Sequence, residues 1–311
     1  MVKNDSSTYE QKIVVAIPCY NEAITIAKVI RDFQGELPGA QILVFDNNST
    51  DDSIKIAEAA GAIVHRVRKQ GKGQVLQVVF EKVTADALVL VDGDDTYEAG
   101  DVHKLLSPIL SFECDMVVGN RLPDARDENM RRHRHFGNRM IVGAINMMFG
   151  TDYKDILSGY RVFSRSFVET VPLLTPGFEI ETEMTLQALN EGLIIDEVPI
   201  IYRSRPEDSH SKLNPLRDGY RIILTAAMLL RDHSPLRLFG LISLIFFIGG
   251  LTLLVMMGLT INGRLQMNLT ALLAGILLLL PMGALSFGIG LILNAVNTRF
   301  TQLKQILQRK K

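Results

Sequence analysis

Short apolar runs rich in β-branched residues alternate with longer amphipathic stretches up to about residue 201. The runs predict strands, and they lie at residues 12–17, 41–45, 62–67, 87–91, 115–118 and 193–201. The stretches between them predict helices, at about 23–33, 53–60, 73–83, 101–110 and 140–149. Strands that alternate with helices of this length indicate βαβ units with right-handed crossovers. We therefore predict an α/β domain with a mostly parallel, Rossmann-like sheet.

The last third of the chain has a different pattern. Apolar residues from 214 to 231 fall at helical spacing, with arginines elsewhere around the helix. This is typical of a helix in a membrane interface, although a core-packing helix has the same pattern. Leu238–Ile261 and Leu269–Val296 are apolar runs, each longer than the roughly 20 residues that span a bilayer. They predict two transmembrane helices.

These patterns divide the chain into five parts. We expect a flexible N-terminus at residues 1–11 and an α/β domain of catalytic size at residues 12–213. An amphipathic interface helix at 214–233, a membrane region at 234–298 and a basic tail at 299–311 follow. Small-residue pairs at four-residue spacing, such as Ser286 with Gly290 and Ala284 with Gly288, indicate either close helix packing or chance placement toward lipid. Close packing between the helices of two copies of the chain would form a homo-oligomer.

Charge predicts where the chain lies in the cell. Lys and Arg flank the outer ends of the two apolar runs, whereas the connection at residues 262–268 holds one Arg. The bias predicts a multi-pass protein of the plasma (inner) membrane with both termini and the α/β domain on the cytoplasmic side. The net charge of -1 argues against nucleic-acid binding. Two cysteines, Cys19 and Cys114, are too few for a disulfide framework and indicate core residues in a reducing compartment.

Three carboxylates follow the apolar run that ends at Val91. They are Asp92, Asp94 and Asp95, around a single glycine. The carboxyl edge of a parallel sheet is where ligands bind, and clustered Asp side chains there suit a hydrated divalent cation that bridges phosphates. A solvated Asp-Gly turn is the alternative.

The ends of the first two strands also carry polar residues. Pro18, Tyr20 and Glu22 follow the first strand, and Asp46 ends the second. Acidic residues at this edge suit ribose hydroxyls and base N–H groups, which favours nucleoside binding for Glu22 and Asp46. Ordinary turn chemistry is the alternative for Pro18.

Several motifs in order carry a family resemblance. They are Ile17–Glu22, Asp46–Asp51, Gly71-Lys72-Gly73, Asp92-Gly93-Asp94, Ser158–Arg161, Arg205-Pro206 and Ser211-Lys212-Leu213. The first four resemble family-2 glycosyltransferases of the GT-A fold. With the two apolar runs, the last three resemble the polyprenyl-phosphate glycosyltransferases of the dolichol-phosphate-mannose-synthase-like branch. The match covers nearly the whole chain.

The resemblance implies a reaction and a metal. The reaction would be inverting transfer of a hexose from a nucleotide sugar, with UDP-glucose or another UDP-hexose favoured, to undecaprenyl or dolichyl phosphate on the cytoplasmic leaflet. Asp94 would be a direct ligand of Mg²⁺ or Mn²⁺, and Asp92 would hold the metal or the ribose. Relatives often carry Gln at the position of Thr96. Water is therefore an alternative third ligand.

The resemblance also implies roles for the loops and the basic residues. Pro18, Tyr20, Glu22 and Asp46 would bind the nucleoside, and Gly73 would let the backbone approach the donor. Candidate clamps for the donor pyrophosphate or the lipid phosphate are Arg121, Arg134, Arg139, Arg203, Arg205 and Lys212. A solvated basic face toward anionic headgroups is the alternative, which we prefer for Arg131 and Arg132.

Asp155 resembles the family's candidate catalytic carboxylate. A phosphate monoester is mostly ionised at neutral pH, so a general base is less necessary here than for a hydroxyl acceptor. Asp155 would then orient the acceptor or pair with an arginine. Glu181 and Glu183 begin a predicted helix, where carboxylates stabilise the helix dipole, and an active-site role for either is equally open.

Two other functions fit parts of the pattern. A processive polysaccharide synthase of the same fold would share the Asp motifs, but such synthases carry a Gln-x-x-Arg-Trp signature and this chain has no Trp. A membrane-anchored nucleotide-sugar-binding protein without catalysis would keep the fold. The presence of Asp92, Asp94 and Asp155 argues against the latter.

Overall fold

The computed structural model describes residues 11–121, 142–143, 146–147, 150–206 and 215–308. The described residues fall into two compact units, one ending at Thr225 and the other starting at Ala226. Arg134, Arg139 and Lys212 lie outside the described residues, as does most of the helix predicted at 140–149.

A seven-stranded sheet with strand order β3-β2-β1-β4-β6-β5-β7 forms the centre of the first unit. Its strands are β1 Ile13–Cys19, β2 Gln41–Asp46, β3 Ile63–Arg66, β4 Ala87–Leu90, β5 Met116–Arg121, β6 Arg161–Ser164 and β7 Ile195–Ile200. Every neighbouring pair is parallel except the two pairs that involve β6, which is antiparallel to both β4 and β5. The prediction of a mostly parallel sheet is confirmed.

Helices cover both faces of this sheet. They are α1 Ile26–Glu36, α2 Ser53–Ala59, α3 Lys72–Lys82, α4 Val102–Leu110, α5 Arg165–Thr170 and α6 Ile180–Asn190. Successive residues of a strand point to opposite faces, and β1 shows this directly. Val15 and Ile17 pack in a core with α1 and α4, while Val14 and Ala16 pack in a second core with α3 and α6. Burial on both faces explains the near-continuous apolar runs.

Strand β6 and helix α5 were not predicted from the sequence. β6 begins at Arg161, and a charged residue at this position is not typical of a buried strand. The Arg161 side chain is nevertheless fully buried, and it donates to Ser158 O at 2.9 Å, Ile156 O at 2.6 Å and Thr185 Oγ1 at 3.0 Å. Burial lowers the pKa of Arg161 to about 10. These bonds fix the loop that precedes β6.

Three long helices complete the described chain: α7 Pro215–His233, α8 Pro235–Ile261 and α9 Leu269–Gln308. α8 and α9 are long and apolar enough, by length and composition, to cross a membrane. Little of their most apolar part is buried within the structure, whereas a core helix of a soluble protein would be mostly buried. α9 runs on to Gln308, so most of the predicted basic tail at 299–311 is helical.

The small residues of α9 differ in what they contact. Ser286 donates to Phe239 O of α8 at 3.0 Å, and a Cβ on Gly290 would lie 2.9 Å from Phe239 Cβ. A Cβ on Gly288 would meet nothing within 4 Å. The face of α9 that carries Ser286 and Gly290 therefore packs closely against α8 within the chain. Of the two predicted pairs, this one has the contacts of close packing. The homo-oligomer stays a prediction.

Candidate functional site

The acidic motif follows β4 at the carboxyl edge of the sheet, where Lys72 bridges two carboxylates. Lys72 Nζ lies 2.6 Å from Asp92 Oδ1 and 2.7 Å from Glu181 Oε1. Lys72 is the first residue of α3, and Glu181 lies in the first turn of α6. Burial alone would lower the pKa of Lys72, but Asp92 and Glu181 outweigh it and raise the pKa. Lys72 is therefore held as a cation between three elements.

Gly159 brings the loop before β6 against this pair. A Cβ at Gly159 would lie 2.4 Å from Asp92 Oδ2 and 3.0 Å from Lys72 Nζ, which leaves no room for a side chain. The Gly159 N–H donates to Tyr97 Oη at 3.0 Å. The glycine of the Ser158–Arg161 motif thus lets the loop lie close to Asp92, and a side chain there would displace the Asp92 carboxylate.

Asp94 is buried, and both of its carboxylate oxygens have partners. Oδ1 accepts from Thr96 Oγ1 at 2.6 Å and from the Thr96 N–H at 3.2 Å, while Oδ2 forms an ion pair with Arg205. Thr96 therefore fixes the Asp94 carboxylate by two hydrogen bonds and adds no carboxylate to the site. Burial and the nearby Asp92 charge raise the pKa of Asp94, although Arg205 and Thr96 act in the opposite direction.

Arg205 belongs to a segment, residues 201–206, that we call the strap. Tyr202 forms an antiparallel bridge with Tyr97, and the Arg203 N–H donates to Thr96 O at 2.8 Å. Arg203 also forms an ion pair with Glu98. The strap thus runs antiparallel to the residues just after the acidic motif, which places Arg205 beside Asp94.

Arg121 and Asp155 form a bidentate pair. Arg121 Nε lies 2.6 Å from Asp155 Oδ2, and Nη2 lies 2.7 Å from Oδ1. The Arg121 backbone N–H donates to the same carboxylate at 3.1 Å, and the guanidinium lies 5.5 Å from the Tyr202 ring centroid. Of the roles considered for Asp155, pairing with an arginine is the one that the structure contains. Arg121 binds a protein carboxylate here, and its role as a phosphate clamp stays a prediction.

The predicted nucleoside residues lie at the adjoining ends of β1 and β2. Cys19 is the register partner of Asp46, and Pro18 that of Phe45. Asp46 is buried, with Oδ2 accepting from the Ser49 N–H at 3.2 Å and Oδ1 lacking a hydrogen-bond partner among the described residues. Tyr20 and Glu22 lie in the turn after β1, and the Glu22 N–H donates to Ser53 Oγ at 2.8 Å. The structure therefore places the four predicted nucleoside residues together at the ends of β1 and β2.

Burial together with the carboxylates of Asp46 and Glu22 raises the pKa of Cys19 to about 12. Cys19 and Cys114 are both buried free thiols. Both behave as core residues, as expected from the sequence.

The two glutamates of α6 have different surroundings. Glu183 accepts from the Leu174 and Thr175 N–H groups at 3.0 Å and 2.8 Å and thereby holds the loop before α6. Glu181 faces Lys72, and its second oxygen is buried without a hydrogen-bond partner in the described part of the chain. The same holds for Glu179 Oε2 and Thr182 Oγ1. Buried oxygens without a protein partner can accept hydrogen bonds from a ligand, so we include the start of α6 in the candidate site.

Gly73 packs on the protein's own backbone. Its N–H donates to Pro176 O at 3.0 Å, and a Cβ would lie 1.9 Å from Thr175 O. The close approach that the structure contains is therefore to the loop before α6. Contact of Gly73 with a donor stays a prediction.

Gly73→Ala is expected to lower the free energy of unfolding by on the order of 1–3 kcal/mol or more, because a backbone oxygen blocks the new methyl group. Gly35→Ala in α1 is the matched control, since a Cβ there meets nothing within 4 Å. It should stabilise the helix by about 0.5–1 kcal/mol. Thermal unfolding of both variants in detergent measures the difference, and equal melting temperatures would contradict the packing.

Asp92 and Asp94 can hold a divalent ion that keeps some of its water ligands. Their carboxylate oxygens are hard donors, and a cation would offset both the burial and the nearby Asp92 charge that raise the pKa of Asp94. Among the described residues no group of three or more His, Cys, Asp or Glu side chains is arranged to hold a metal. Water or a substrate phosphate would therefore supply the remaining ligands.

Comparison with known proteins identifies the family. The family model "Glycosyl transferase family 2" matches residues 14–171. Glycosyltransferase AglJ of Haloferax volcanii is 41% identical over 73% of this chain and 75% of its own length. Polyprenol monophosphomannose synthase of Mycolicibacterium smegmatis is 25% identical over 63% of this chain and 78% of its own.

A solved structure has the same GT-A-like fold. Glucosyl-3-phosphoglycerate synthase from Mycobacterium tuberculosis, in complex with Mn²⁺, UDP and phosphoglyceric acid, superposes with a TM-score of 0.57. It is 24% identical and covers 71% of this chain and 78% of its own. The resemblance in motifs, the sheet order and these matches agree, and the chain belongs to glycosyl transferase family 2.

Proposed function

We propose that this glycosyltransferase moves a hexose, with inversion, from a nucleotide diphosphate sugar to a polyprenyl phosphate at the cytoplasmic leaflet of the plasma membrane. The observation that carries the proposal is the clustering of Asp92 and Asp94 with Lys72 and Arg205 at the carboxyl edge of the sheet. Carboxylates and cations at one edge suit a metal and the phosphates of a donor. The predicted division at residues 12–213, 214–233 and 234–298 belongs to the same proposal.

The nucleoside would bind at the ends of β1 and β2. Asp46 offers a buried acceptor oxygen without a partner among the described residues, which suits a ribose hydroxyl or a base N–H. Pro18, Tyr20 and Glu22 would line the same pocket. UDP is favoured, and the structural neighbour that holds UDP with Mn²⁺ supports this choice.

The sugar would lie beside the start of α6. Glu179 Oε2, Glu181 Oε2 and Thr182 Oγ1 are buried acceptors that sugar hydroxyls can satisfy. Lys72 links Glu181 to Asp92, and so joins the proposed sugar pocket to the proposed pyrophosphate site.

The reaction would be a single displacement. An oxygen of the polyprenyl phosphate forms a bond to the anomeric carbon, while the bond from that carbon to the donor pyrophosphate breaks and the nucleoside diphosphate leaves. Mg²⁺ or Mn²⁺ held by Asp92 and Asp94 would offset the charge that develops on the leaving oxygen. Lys72 and Arg205 supply further positive charge at this edge, and Asp155 orients Arg121 for the acceptor phosphate.

Membrane anchoring supports a lipid acceptor. α8 and α9 would span the bilayer with both termini cytoplasmic, and α7 would lie in the interface with its exposed Tyr220, Ile223 and Met228. Polyprenol monophosphomannose synthase is a relative whose name states such an acceptor. Arg134, Arg139 and Lys212, which lie outside the described residues, would meet the lipid phosphate, whereas Arg205 beside Asp94 would serve the donor pyrophosphate.

The test uses purified full-length protein in detergent with undecaprenyl phosphate and a panel of radiolabelled nucleotide sugars. We expect label in the organic phase with one UDP-hexose and none without metal. A polymer in the aqueous phase would favour the processive synthase. Donor binding without product from any donor would favour the inactive binding protein.

A further inference from the structure

Arg205 of the strap pairs with Asp94 Oδ2, an oxygen that a metal ligated by Asp94 would use. We propose that Arg205 is an internal counter-ion of Asp94 that holds the carboxylate when no divalent ion is bound and must leave Oδ2 before Asp94 can ligate one. The inference rests on the proposed metal role of Asp94.

Asp94 has no spare oxygen while Arg205 is in place. Thr96 fills Oδ1 with its hydroxyl and its N–H, and Arg205 fills Oδ2. The Asp94 side chain is only 4% exposed, so solvent gives little access to the carboxylate. An incoming ion therefore competes with the guanidinium for the same atom.

The charges around Asp94 also lower its affinity for a divalent ion. Within this cluster the three carboxylates of Asp92, Asp94 and Glu181 face the two cations Lys72 and Arg205, so these five side chains together carry a net charge of only -1. A divalent ion thus meets two resident positive charges within contact distance of its ligands. Affinity for the metal alone should be low, and removal of Arg205 should raise it.

Three contacts of the strap do not involve the Arg205 side chain. Ile201 N–H donates to Asp101 Oδ2 at 2.7 Å, Tyr202 bridges Tyr97, and Arg203 N–H donates to Thr96 O, so these contacts persist when the guanidinium moves off Asp94. Arg205 follows these anchors, and its side chain is 27% exposed. A donor pyrophosphate that arrives with the ion would give the freed guanidinium a bidentate partner. Metal and donor would then bind cooperatively.

The test is titration of the purified full-length protein with Mn²⁺ alone, without nucleotide, with free Mn²⁺ followed by electron paramagnetic resonance. Arg205→Gln should bind Mn²⁺ at least about tenfold more tightly than wild type, since a like charge is removed from contact distance. Arg205→Lys keeps the charge and should stay near wild type. Lys28→Gln is the matched charge control, because Lys28 pairs with Asp95 and Asp32 and is half exposed. It should change the affinity by less than about twofold.

Thermal unfolding provides a second readout if Arg205→Gln is unstable. In EDTA this variant should melt below wild type because Asp94 loses its counter-ion, and Mn²⁺ should restore its melting temperature while shifting wild type little. Equal or weaker Mn²⁺ affinity in Arg205→Gln, or instability that Mn²⁺ does not correct, overturns the proposal. Sugar transfer by wild type is scored separately. If wild type makes product but wild type and Arg205→Gln bind Mn²⁺ equally, only the counter-ion role of Arg205 is refuted. If wild type makes no product, the proposed function is refuted, and the Mn²⁺ titration still decides the role of Arg205.

Discussion

Asp94→Asn is expected to lower kcat for sugar transfer by at least about two orders of magnitude, the size typical of removing a key electrostatic stabiliser. Asn has the shape of Asp and can still accept from Thr96 at its amide oxygen, so the loop should keep its fold. What the variant loses is the charge that would hold a divalent ion at the donor pyrophosphate. EDTA should abolish turnover of wild type, and Mg²⁺ or Mn²⁺ should restore it.

Asp95→Asn is the matched control for Asp94→Asn. Asp95 is the next residue, and its carboxylate forms an ion pair with Lys28 at 2.7 Å rather than with Arg205. Its φ of 57° lies in the left-handed region, which Asn tolerates as well as Asp. We expect this variant to keep kcat within about threefold, because such a pair near the surface contributes little. Full activity of Asp94→Asn at saturating metal would refute the assignment.

Asp155→Asn should lower kcat about a hundredfold without creating a new requirement for high pH. Both oxygens of Asp155 accept from Arg121, so the carboxylate is arranged to orient a cation rather than to take a proton. The acceptor phosphate has a second pKa near 6 and is already ionised at neutral pH. An amide cannot accept both guanidinium bonds, so Arg121 would lose its fixed position.

The measurement is a pH–rate profile with polyprenyl phosphate for wild type, Asp155→Asn and Asp152→Asn. Asp152 is an exposed carboxylate three positions earlier, and its replacement should leave the profile unchanged. Recovery of Asp155→Asn to the wild-type rate well above the phosphate pKa would show that proton removal is the role of Asp155.

The parallel part of the fold could be predicted because burial on both faces leaves a continuous apolar signal. β1, β2 and β4 lie within a few residues of their predicted positions, and each predicted carboxylate at a strand end lies at the same edge of the sheet. β6 gave no such signal. It is short, and its first residue is an arginine whose buried side chain donates to Ile156 O and Ser158 O of the preceding loop and to Thr185 Oγ1 of α6.

The site was predictable where chemistry follows a strand and was missed where it depends on distant contacts. Asp46, Asp92 and Asp94 follow strands, whereas Lys72 was considered only as part of a glycine motif. Its location at the first residue of a helix, between two glycines and ahead of an acidic strand end, was the available signal. The pairing of Arg121 with Asp155, 34 residues apart, was only one of the roles open to Asp155.

The most direct measurement of the central claim compares two acceptors that differ by one phosphate. Purified wild-type protein receives the active nucleotide sugar with Mg²⁺ and either undecaprenyl phosphate or undecaprenol, and the product is analysed by mass spectrometry and by NMR of the anomeric proton. We expect a hexosyl undecaprenyl phosphate with the anomeric configuration opposite to that of the donor, and no product from undecaprenol. Equal transfer to undecaprenol, or a product with retained configuration, would contradict the claim.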